Sequence, residues 1–252
     1  MVINRTKTGI EGLDKALNGG FPEGNLVLIS GGAGTGKSTL CLQFLINGCK
    51  VGEKGLYIST EQTQEELVKQ CASFGWDLDA LIKKNMIRII FYDITGQDNF
   101  LKRVDLAVQE LKPKRIVVDS MTTLTDAMII SGVTEHDAFS MVQIAESVSP
   151  IPRTEQIISK QILYRLLSAM RKYHTTTLLT SELYEEVTRL SADGISEFIT
   201  DGVLLLSYLG VGSAVFRSIR IRKMRYTDHE KGSLVYEMSP KGIEIKSQDL
   251  SI

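Results

Sequence analysis

Cysteine is scarce in this chain: only Cys41, Cys49 and Cys71 occur among its 252 residues. The three cysteines form no CxxC pair, their number is odd, and all of them lie in apolar helical patterns. The sequence therefore favours buried, reduced thiols of a cytoplasmic protein.

Long apolar runs and an excess of charge of one sign are also missing. The longest apolar runs are far shorter than the ~20 residues that cross a bilayer, and Met1–Arg5 lacks the apolar core of a signal peptide. Lysine plus arginine (29) nearly balances aspartate plus glutamate (30), and the pI is about 6.3. We therefore expect no membrane association, and nucleic-acid binding would need a local basic patch.

The remaining composition is ordinary for a globular protein, with 43% hydrophobic and 23% charged residues. The length allows one large domain or two small ones. Because no linker, low-complexity tract or internal repeat divides the sequence, we expect a single domain over residues 1–252, with a core of about 5–246.

Apolar strand-like runs alternate with longer helical patterns up to residue 181. The predicted strands are 26–30, 55–60, 86–91, 115–119 and 176–181, and the predicted helices are 36–50, 63–74, 98–112 and 155–173. This alternation predicts an α/β fold of three layers, in which helices cover both faces of a mainly parallel sheet.

The pattern changes toward the C-terminus. The runs 203–208, 215–223 and 234–238 follow one another with short turns, so they predict antiparallel strands that extend the same sheet. Between the two regions, residues 131–154 contain Pro150 and Pro152, which exclude a helix there. We expect an exposed loop or a helix hairpin in that stretch.

One short motif carries most of the functional information. It consists of Gly31, Gly32, Ala33, Gly34, Thr35, Gly36, Lys37 and Ser38, a full match to GxxxxGK[ST]. It joins a predicted strand to a predicted helix, so its backbone N–H groups and the helix N-terminus would cradle phosphate. Lys37 would reach the β- and γ-phosphates, and Ser38 would ligate Mg²⁺. The motif predicts a nucleoside triphosphate site.

Two carboxylates are candidates for the accompanying chemistry. Asp119 ends an apolar strand, where it would hold Mg²⁺ through a water. Glu61 directly follows another strand. The carboxyl ends of the strands in a parallel sheet face the nucleotide, so Glu61 would lie where it could activate the attacking water. The alternative for Glu61 is a helix-start residue stabilised by the dipole of helix 63–74. The lack of an Asn-Lys-x-Asp motif argues against a guanine-specific GTPase.

A basic cluster lies near the C-terminus: Arg217, Arg220, Arg222, Lys223 and Arg225. On a strand, Lys223 and Arg225 would point the same way. Two interpretations stay open, a solvated basic edge strand that resists aggregation and an arginine finger for a neighbouring subunit's nucleotide.

Several segments resemble the KaiC-like branch of the RecA superfamily of ATPases, which includes the recombinase paralogues. The matching segments are Thr8–Asp14, Gly19–Gly24, residues 31–38, Ser73–Leu78, Asp119–Ser120, Ala192–Gly194 and Lys223–His229. The Ser-Phe-Gly-Trp and Lys-x-Arg-x-x-x-His segments are the most specific of them, and the resemblance extends over nearly the whole chain.

The resemblance implies a RecA-like sheet in which the strand at 176–181 lies between the motif strand and the Asp119 strand. It implies ATP and Mg²⁺ as cofactors and a homo-oligomer, either a ring, with a hexamer expected, or a filament, whose nucleotide sites lie at subunit interfaces. Lys223 and Arg225 are implied to contact the γ-phosphate bound by a neighbouring subunit. Met224, Thr227 and His229 would lie near the base and ribose of that nucleotide. Within the subunit that carries the phosphate loop, the implied contacts are Thr39, Ser73 and Glu182, with Glu182 as the sensor.

Two departures from the family pattern matter. Gln62 stands where a second acid is usual, so the role of base rests on Glu61 alone. The chain also has one phosphate loop and not the duplicated pair of the circadian-clock protein, so the phosphotransfer cycle of that protein is not carried over.

Three functions remain open. The first, which is the main prediction, is an ATPase that acts with single-stranded DNA or modulates recombination or repair. Against it, residues 122–152 contain no lysine or arginine, and Phe139 is their one aromatic residue suited to stacking on a base. The second is a regulatory ATPase whose nucleotide state controls a protein partner. The third, a phosphotransferase, has no residue that singles it out.

Overall fold

The computed structural model describes residues 3–92, 100–130, 153–183, 189–211 and 214–246. In these ranges the strands are β1 (Arg5–Thr6), β2 (Phe21–Pro22), β3 (Leu26–Gly31), β4 (Gly55–Ser59), β5 (Ile87–Phe91), β6 (Arg115–Asp119), β7 (Thr176–Glu182), β8 (Gly202–Val211), β9 (Ala214–Met224), β10 (Ser233–Ser239) and β11 (Gly242–Ile245). The helices are α1 (Glu11–Ala16), α2 (Lys37–Lys50), α3 (Gln64–Ser73), α4 (Leu78–Lys83), α5 (Phe100–Leu111), α6 (Met121–Ile130), α7 (Arg153–Lys172) and α8 (Ser196–Ile199).

The strands and helices predicted up to residue 181 are present, and their ends shift by one or two residues. The expected loop at 131–154 lies outside the described residues except for its last two positions, which already belong to α7. The prediction missed α1, α4, α6, α8, β1, β2 and β11. All of these except α6 are short, so they contain too few residues for a hydrophobic period to show. Helix α6 has ten residues, but its apolar residues do not concentrate on one face.

A nine-stranded sheet forms the centre of the described structure, in the order β11-β10-β9-β8-β3-β7-β6-β4-β5. β3 pairs in parallel with β7 and β8, and β4 pairs in parallel with β5 and β6. β9, β10 and β11 then extend the sheet with antiparallel pairs. The mainly parallel sheet with antiparallel C-terminal strands is thus confirmed, and β7 lies between β3 and β6 as the resemblance implied.

Two apolar clusters cover the two faces of this sheet. On β3, Val27 and Ile29 belong to the cluster that includes α1 to α4. Leu26 and Leu28 belong to the other cluster, together with side chains of α5, α6 and α7. Every residue of β3 is buried, which explains why this strand is a continuous apolar run and not an alternating one. The fold therefore has three layers.

The cysteines lie on the α1 to α4 side of the sheet, and all three are free. Burial raises the pKa of Cys49 to about 11 and that of Cys71 to about 12, so both remain thiols at neutral pH. In the described part of the chain, none of the helices combines the length and the apolarity that a bilayer span requires.

One buried cation joins the sheet to the α2 layer. Arg115 begins β6 with a side chain only 3% exposed, and its Nε donates to Glu53 over 2.6 Å. Its Nη1 donates to the Phe44 carbonyl over 2.7 Å, and the guanidinium lies 4.5 Å from the centre of the Phe44 ring. Gly48 leaves the space that this arrangement needs, because a Cβ there would lie 2.4 Å from the Arg115 Nε.

Replacing this arginine tests how much the buried contact contributes. Arg115→Ala should lower the free energy of unfolding by about 3 kcal/mol, since it leaves a carbonyl and a carboxylate without their donor. Arg88→Ala is the matched control, because its pair with Glu110 is more exposed and should contribute less than about 1 kcal/mol. Urea denaturation measures both, and equal losses would contradict the assignment.

Candidate nucleotide site

The carboxyl ends of four neighbouring strands bring the predicted site residues to one edge of the sheet. Gly31 at the end of β3 pairs with Glu182 at the end of β7. Ser59 at the end of β4 pairs with Asp119 at the end of β6. Glu61 follows β4 by two residues. The parallel pairing thus places the phosphate loop and the three predicted acids side by side.

The phosphate loop, residues 31–38, connects β3 to α2, and three of its glycines, Gly31, Gly34 and Gly36, occupy positions that disfavour other residues. Gly34 and Gly36 have φ angles of +71° and +91°, in the left-handed region. A Cβ on Gly36 would also lie 2.1 Å from the Met238 Cε, and one on Gly31 would lie 2.4 Å from the Leu206 carbonyl oxygen. The helix begins at Lys37. This cradle fits a phosphate group at a helix N-terminus.

Within the loop, Lys37 is buried and its Nζ donates to the carbonyls of Gly31 (3.0 Å) and Gly32 (3.1 Å). The Thr35 hydroxyl donates to the Gly32 carbonyl over 2.8 Å. Ser38 is half-buried and Thr39 is buried in the first turn of α2. The ammonium group that we predict to bind the β- and γ-phosphates is therefore held at the loop by its carbonyl oxygens.

Two tyrosines, Tyr208 on β8 and Tyr236 on β10, donate hydrogen bonds to the loop backbone. The Tyr208 hydroxyl donates to the Gly34 carbonyl over 3.0 Å, and the Tyr236 hydroxyl donates to the Thr35 carbonyl. Burial raises the pKa of Tyr236, so its hydroxyl remains a donor. Arg217 lies over the Tyr208 ring, with its guanidinium carbon 5.5 Å from the ring centre. The sequence analysis missed both tyrosines, because no local motif marks them.

Asp119 is 7% exposed, and hydroxyl groups contact both of its carboxylate oxygens. Tyr57 donates to Oδ2 and Thr180 donates to Oδ1, each over 2.5 Å. Burial and the charge of Asp119 raise the pKa of Tyr57, so the phenol stays protonated and can donate. Asp119 thus has a fixed position at the sheet edge, joined to Ser120 by a cis peptide bond.

The donor set at this edge fits magnesium held in the manner of phosphate-loop proteins. Ser38 supplies a hydroxyl and Asp119 a single carboxylate, and the described residues contain no cluster of three or more His, Cys, Asp or Glu side chains that could hold a metal alone. Mg²⁺ prefers oxygen ligands, keeps several waters and shares substrate phosphates. The set therefore suits a metal that enters with the nucleotide.

Glu61 lies beside Asp119 on an exposed turn, and its Oε1 accepts two hydrogen bonds. Ser120 and Thr123 each donate a hydroxyl to it over 3.0 Å. Gln62 differs, because its backbone N–H and carbonyl bond to the Ser59 hydroxyl over 3.0 and 2.6 Å. The structure therefore places the Glu61 carboxylate next to the Asp119–Ser120 segment, while the Gln62 backbone closes the turn after β4.

Ser73 and Glu182 are the two remaining predicted contacts on the phosphate-loop side. Ser73 is exposed at the end of α3, and its hydroxyl donates to the Gln70 carbonyl over 2.7 Å. Glu182 is exposed beside the phosphate loop, and its backbone N–H donates to Thr122 over 3.3 Å. Both remain predicted nucleotide contacts.

Lys223 and Arg225 lie at the opposite, amino-terminal edge of the parallel strands. Lys223 pairs with Val203 near the start of β8, and the backbone N–H of Arg225 donates to the Asp201 carbonyl over 2.8 Å. The backbone N–H of Leu26, the first residue of β3, donates to the Asp201 carboxylate over 3.0 Å. The rise of β3 separates this edge from the phosphate loop by ~17 Å.

Both cations have partners within the protomer. Lys223 Nζ donates to the carbonyls of Glu197 and Phe198 (3.0 Å each) and Thr200 (2.5 Å) at the end of α8. Burial, with the charge of Arg225, lowers the pKa of Lys223. Arg225 pairs with Asp201 over 2.9 Å.

The other three residues of this segment differ in exposure. Met224 is 5% exposed and packs in the core against Gly202. Thr227 and His229 are half-buried, and the His229 Nδ1 lies 2.8 Å from the Glu230 carbonyl. Their contacts with a neighbour's nucleotide stay predictions.

Comparisons with known proteins agree with this geometry. A family model described as "ATPase: KaiC" matches residues 6–142 and 136–249. The crystal structure of the KaiC-like protein PH0186 from Pyrococcus horikoshii OT3 is 31% identical, with a TM-score of 0.80 over 98% of this chain and 100% of that one.

Curated relatives include the circadian clock oscillator protein KaiC of Parathermosynechococcus lividus, 30% identical over 254 residues that cover 96% of this chain and 42% of the relative. The KaiC protein of Synechococcus elongatus is also 30% identical, with 96% and 44% covered. The chain thus spans less than half the length of the curated relatives that it matches.

The two tyrosines yield a prediction about the loop. Tyr236→Phe and Tyr208→Phe should each weaken ATP binding about fivefold, since each removes one hydrogen bond worth about 1 kcal/mol that holds a loop carbonyl. Calorimetry with a non-hydrolysable ATP analogue measures the affinity. Tyr164→Phe is the matched control, because Tyr164 is 52% exposed on α7. Unchanged affinity in Tyr236→Phe would contradict the role of the hydroxyl.

Proposed function

Because the chain belongs to the KaiC family of ATPases, we propose that it is a Mg²⁺-dependent ATPase whose active sites form between copies of the chain. We further propose that residues 1–252 make up one such domain, with a core of about 5–246, in the cytoplasm. The single nine-stranded sheet of the described residues supports one domain.

The observation that carries the proposal is the separation of the two halves of the site. The phosphate loop lies at the carboxyl edge of β3, whereas Lys223 and Arg225 lie at its amino edge. A distance of ~17 Å is too long for an arginine or lysine side chain to bridge. A second copy packed head to tail would bring its amino edge to this carboxyl edge, and repeated packing of that kind gives a ring or a filament.

In the proposed site, the loop N–H groups and Lys37 would hold the phosphates, and Ser38 and Asp119 would hold Mg²⁺, which would offset phosphate charge. Glu61 takes a proton from the attacking water, whose oxygen bonds to the γ-phosphorus as the bond to the ADP oxygen breaks. Lys223 and Arg225 of the neighbouring copy then offset the charge on the transferred group.

We propose that the nucleotide cycle controls a protein partner. Two observations support this role: the curated relatives are clock oscillator proteins by name, and residues 122–152 contain no lysine or arginine to hold a nucleic-acid backbone. Single-stranded DNA is the second candidate, favoured by the RecA-like fold that the chain shares with recombinases. Fluorescence anisotropy with a labelled oligonucleotide at two salt concentrations separates the two candidates, because electrostatic binding weakens with salt.

The assignment of the base has its own test. Glu61→Gln should bind ATP normally but hydrolyse it at least ~100-fold more slowly, the loss expected for a general base. Gln62→Ala is the matched control at the adjacent position and should change the rate far less. Steady-state phosphate release measures both variants. Equal losses would mean that the pair acts structurally, and full activity in Glu61→Gln would place the base elsewhere.

Mixing two inactive variants tests the shared site. Arg225→Ala should lose roughly 10³-fold or more in rate, as transition-state arginines do, and Lys37→Ala should lose tight ATP binding. Equal mixing with subunit exchange would create about a quarter of interfaces with an intact loop facing an intact arginine. The mixture should therefore regain activity that neither variant has alone. Activity that stays absent would contradict a site shared between copies.

A further inference from the structure

The segment that carries Arg225 is fixed to the protomer at three points. At its start, Arg225 binds Asp201 through its backbone N–H and its guanidinium. At its end, the backbone N–H of Glu230 donates to the Ala16 carbonyl over 2.9 Å. Between these points the chain turns sharply at Tyr226, which has a φ of +61° and is 72% exposed. A non-glycine residue keeps such a conformation when its surroundings hold it there.

A single side chain from the opposite end of the sequence makes the middle contact. Arg5 Nη2 donates to the Tyr226 carbonyl over 3.3 Å, and its Nη1 donates to the Thr227 hydroxyl over 3.0 Å. The same Nη1 also donates to the carbonyls of Leu17 (3.2 Å) and Gly20 (3.0 Å). The guanidinium therefore joins the turn at 226–227 to the backbone that follows α1.

The planar guanidinium explains why an arginine occupies this position. Its N–H groups point in fixed directions, so one group can serve acceptors on two separate chain segments at once. A lysine ammonium at the end of a flexible chain can approach one segment but does not hold both in register. Arg5 thereby limits the conformations of an exposed turn. Without this contact, the turn would lose conformational entropy when it binds a neighbouring copy.

We propose that Arg5 is a positioning residue for Arg225. It holds the turn at 225–227 in the conformation in which Arg225 can reach the nucleotide of a neighbouring copy. The inference rests on the proposed function, since it assumes that Arg225 completes a neighbour's site. Arg5 itself acts through Tyr226 and Thr227 and contacts no nucleotide. A misplacement of a catalytic group by about 1 Å can cost up to about 100-fold in rate.

Complementation separates this role from a general loss of stability. Arg5→Lys keeps the positive charge but replaces the planar guanidinium. It should therefore lower the ATPase rate by about 10-fold or more, whereas its affinity for ATP should equal that of Arg225→Ala. Mixed with Lys37→Ala, it should regain activity, because Lys37→Ala supplies an intact turn and Arg5→Lys an intact phosphate loop. Mixed with Arg225→Ala, it should not, because both variants lack the same half of the site.

The controls use the same segment and the same assay. Lys7→Ala removes an exposed positive charge two residues away and should keep the wild-type rate. Two results would overturn the role of Arg5. One is a wild-type ATPase rate in Arg5→Lys; the other is equal ATPase rates in the two Arg5→Lys mixtures when the mixture of Arg225→Ala and Lys37→Ala regains activity. If the mixture of Arg225→Ala and Lys37→Ala regains no activity, the shared site is wrong, and the role of Arg5 is wrong with it.

Discussion

The parallel pairing of β3 with β7 and β8 is the constraint on which the rest of the structure depends. With two apolar layers on the faces of the sheet, it buries β3 along its whole length. One end continues into the phosphate loop, and the other lies against Asp201, next to Arg225. A strand cannot shorten, so the distance between the two ends is fixed by the number of residues. The proposed assembly follows from that distance.

The two edges are held by different kinds of contact. At the carboxyl edge, neutral hydroxyls of Tyr57 and Thr180 fix the acid Asp119. At the amino edge the central contacts are ionic, because the Asp201 carboxylate pairs with both Arg171 and Arg225. If Arg225 turns toward a neighbour's phosphate, Asp201 keeps Arg171 and the Leu26 N–H, so no buried carboxylate is left without a partner. Because Arg225 is 45% exposed, giving up its ion pair costs little.

The parts of this structure that depend on local pattern were predictable from the sequence. Runs of apolar residues located the strands, the 31–38 motif located the phosphate loop, and the family resemblance placed β7 between β3 and β6. The contacts that shape the site were not predictable, because they join distant residues. Arg5 meets Thr227 across 222 positions, and Tyr236 reaches Thr35 across 201. Such pairs become visible only when the fold brings the segments together.

The central claim is that one protomer contains only half of each working site. The most direct measurement is the ATPase rate per subunit as a function of protein concentration, with the molar mass followed by light scattering in the same samples. A shared site predicts a rate per subunit that rises as copies associate and that falls toward zero for the monomer. A constant rate from a species that remains monomeric would contradict the claim. The basic residues 217–225 would then have no catalytic role; they do not form the edge strand that the sequence also suggested, because β9 lies between β8 and β10.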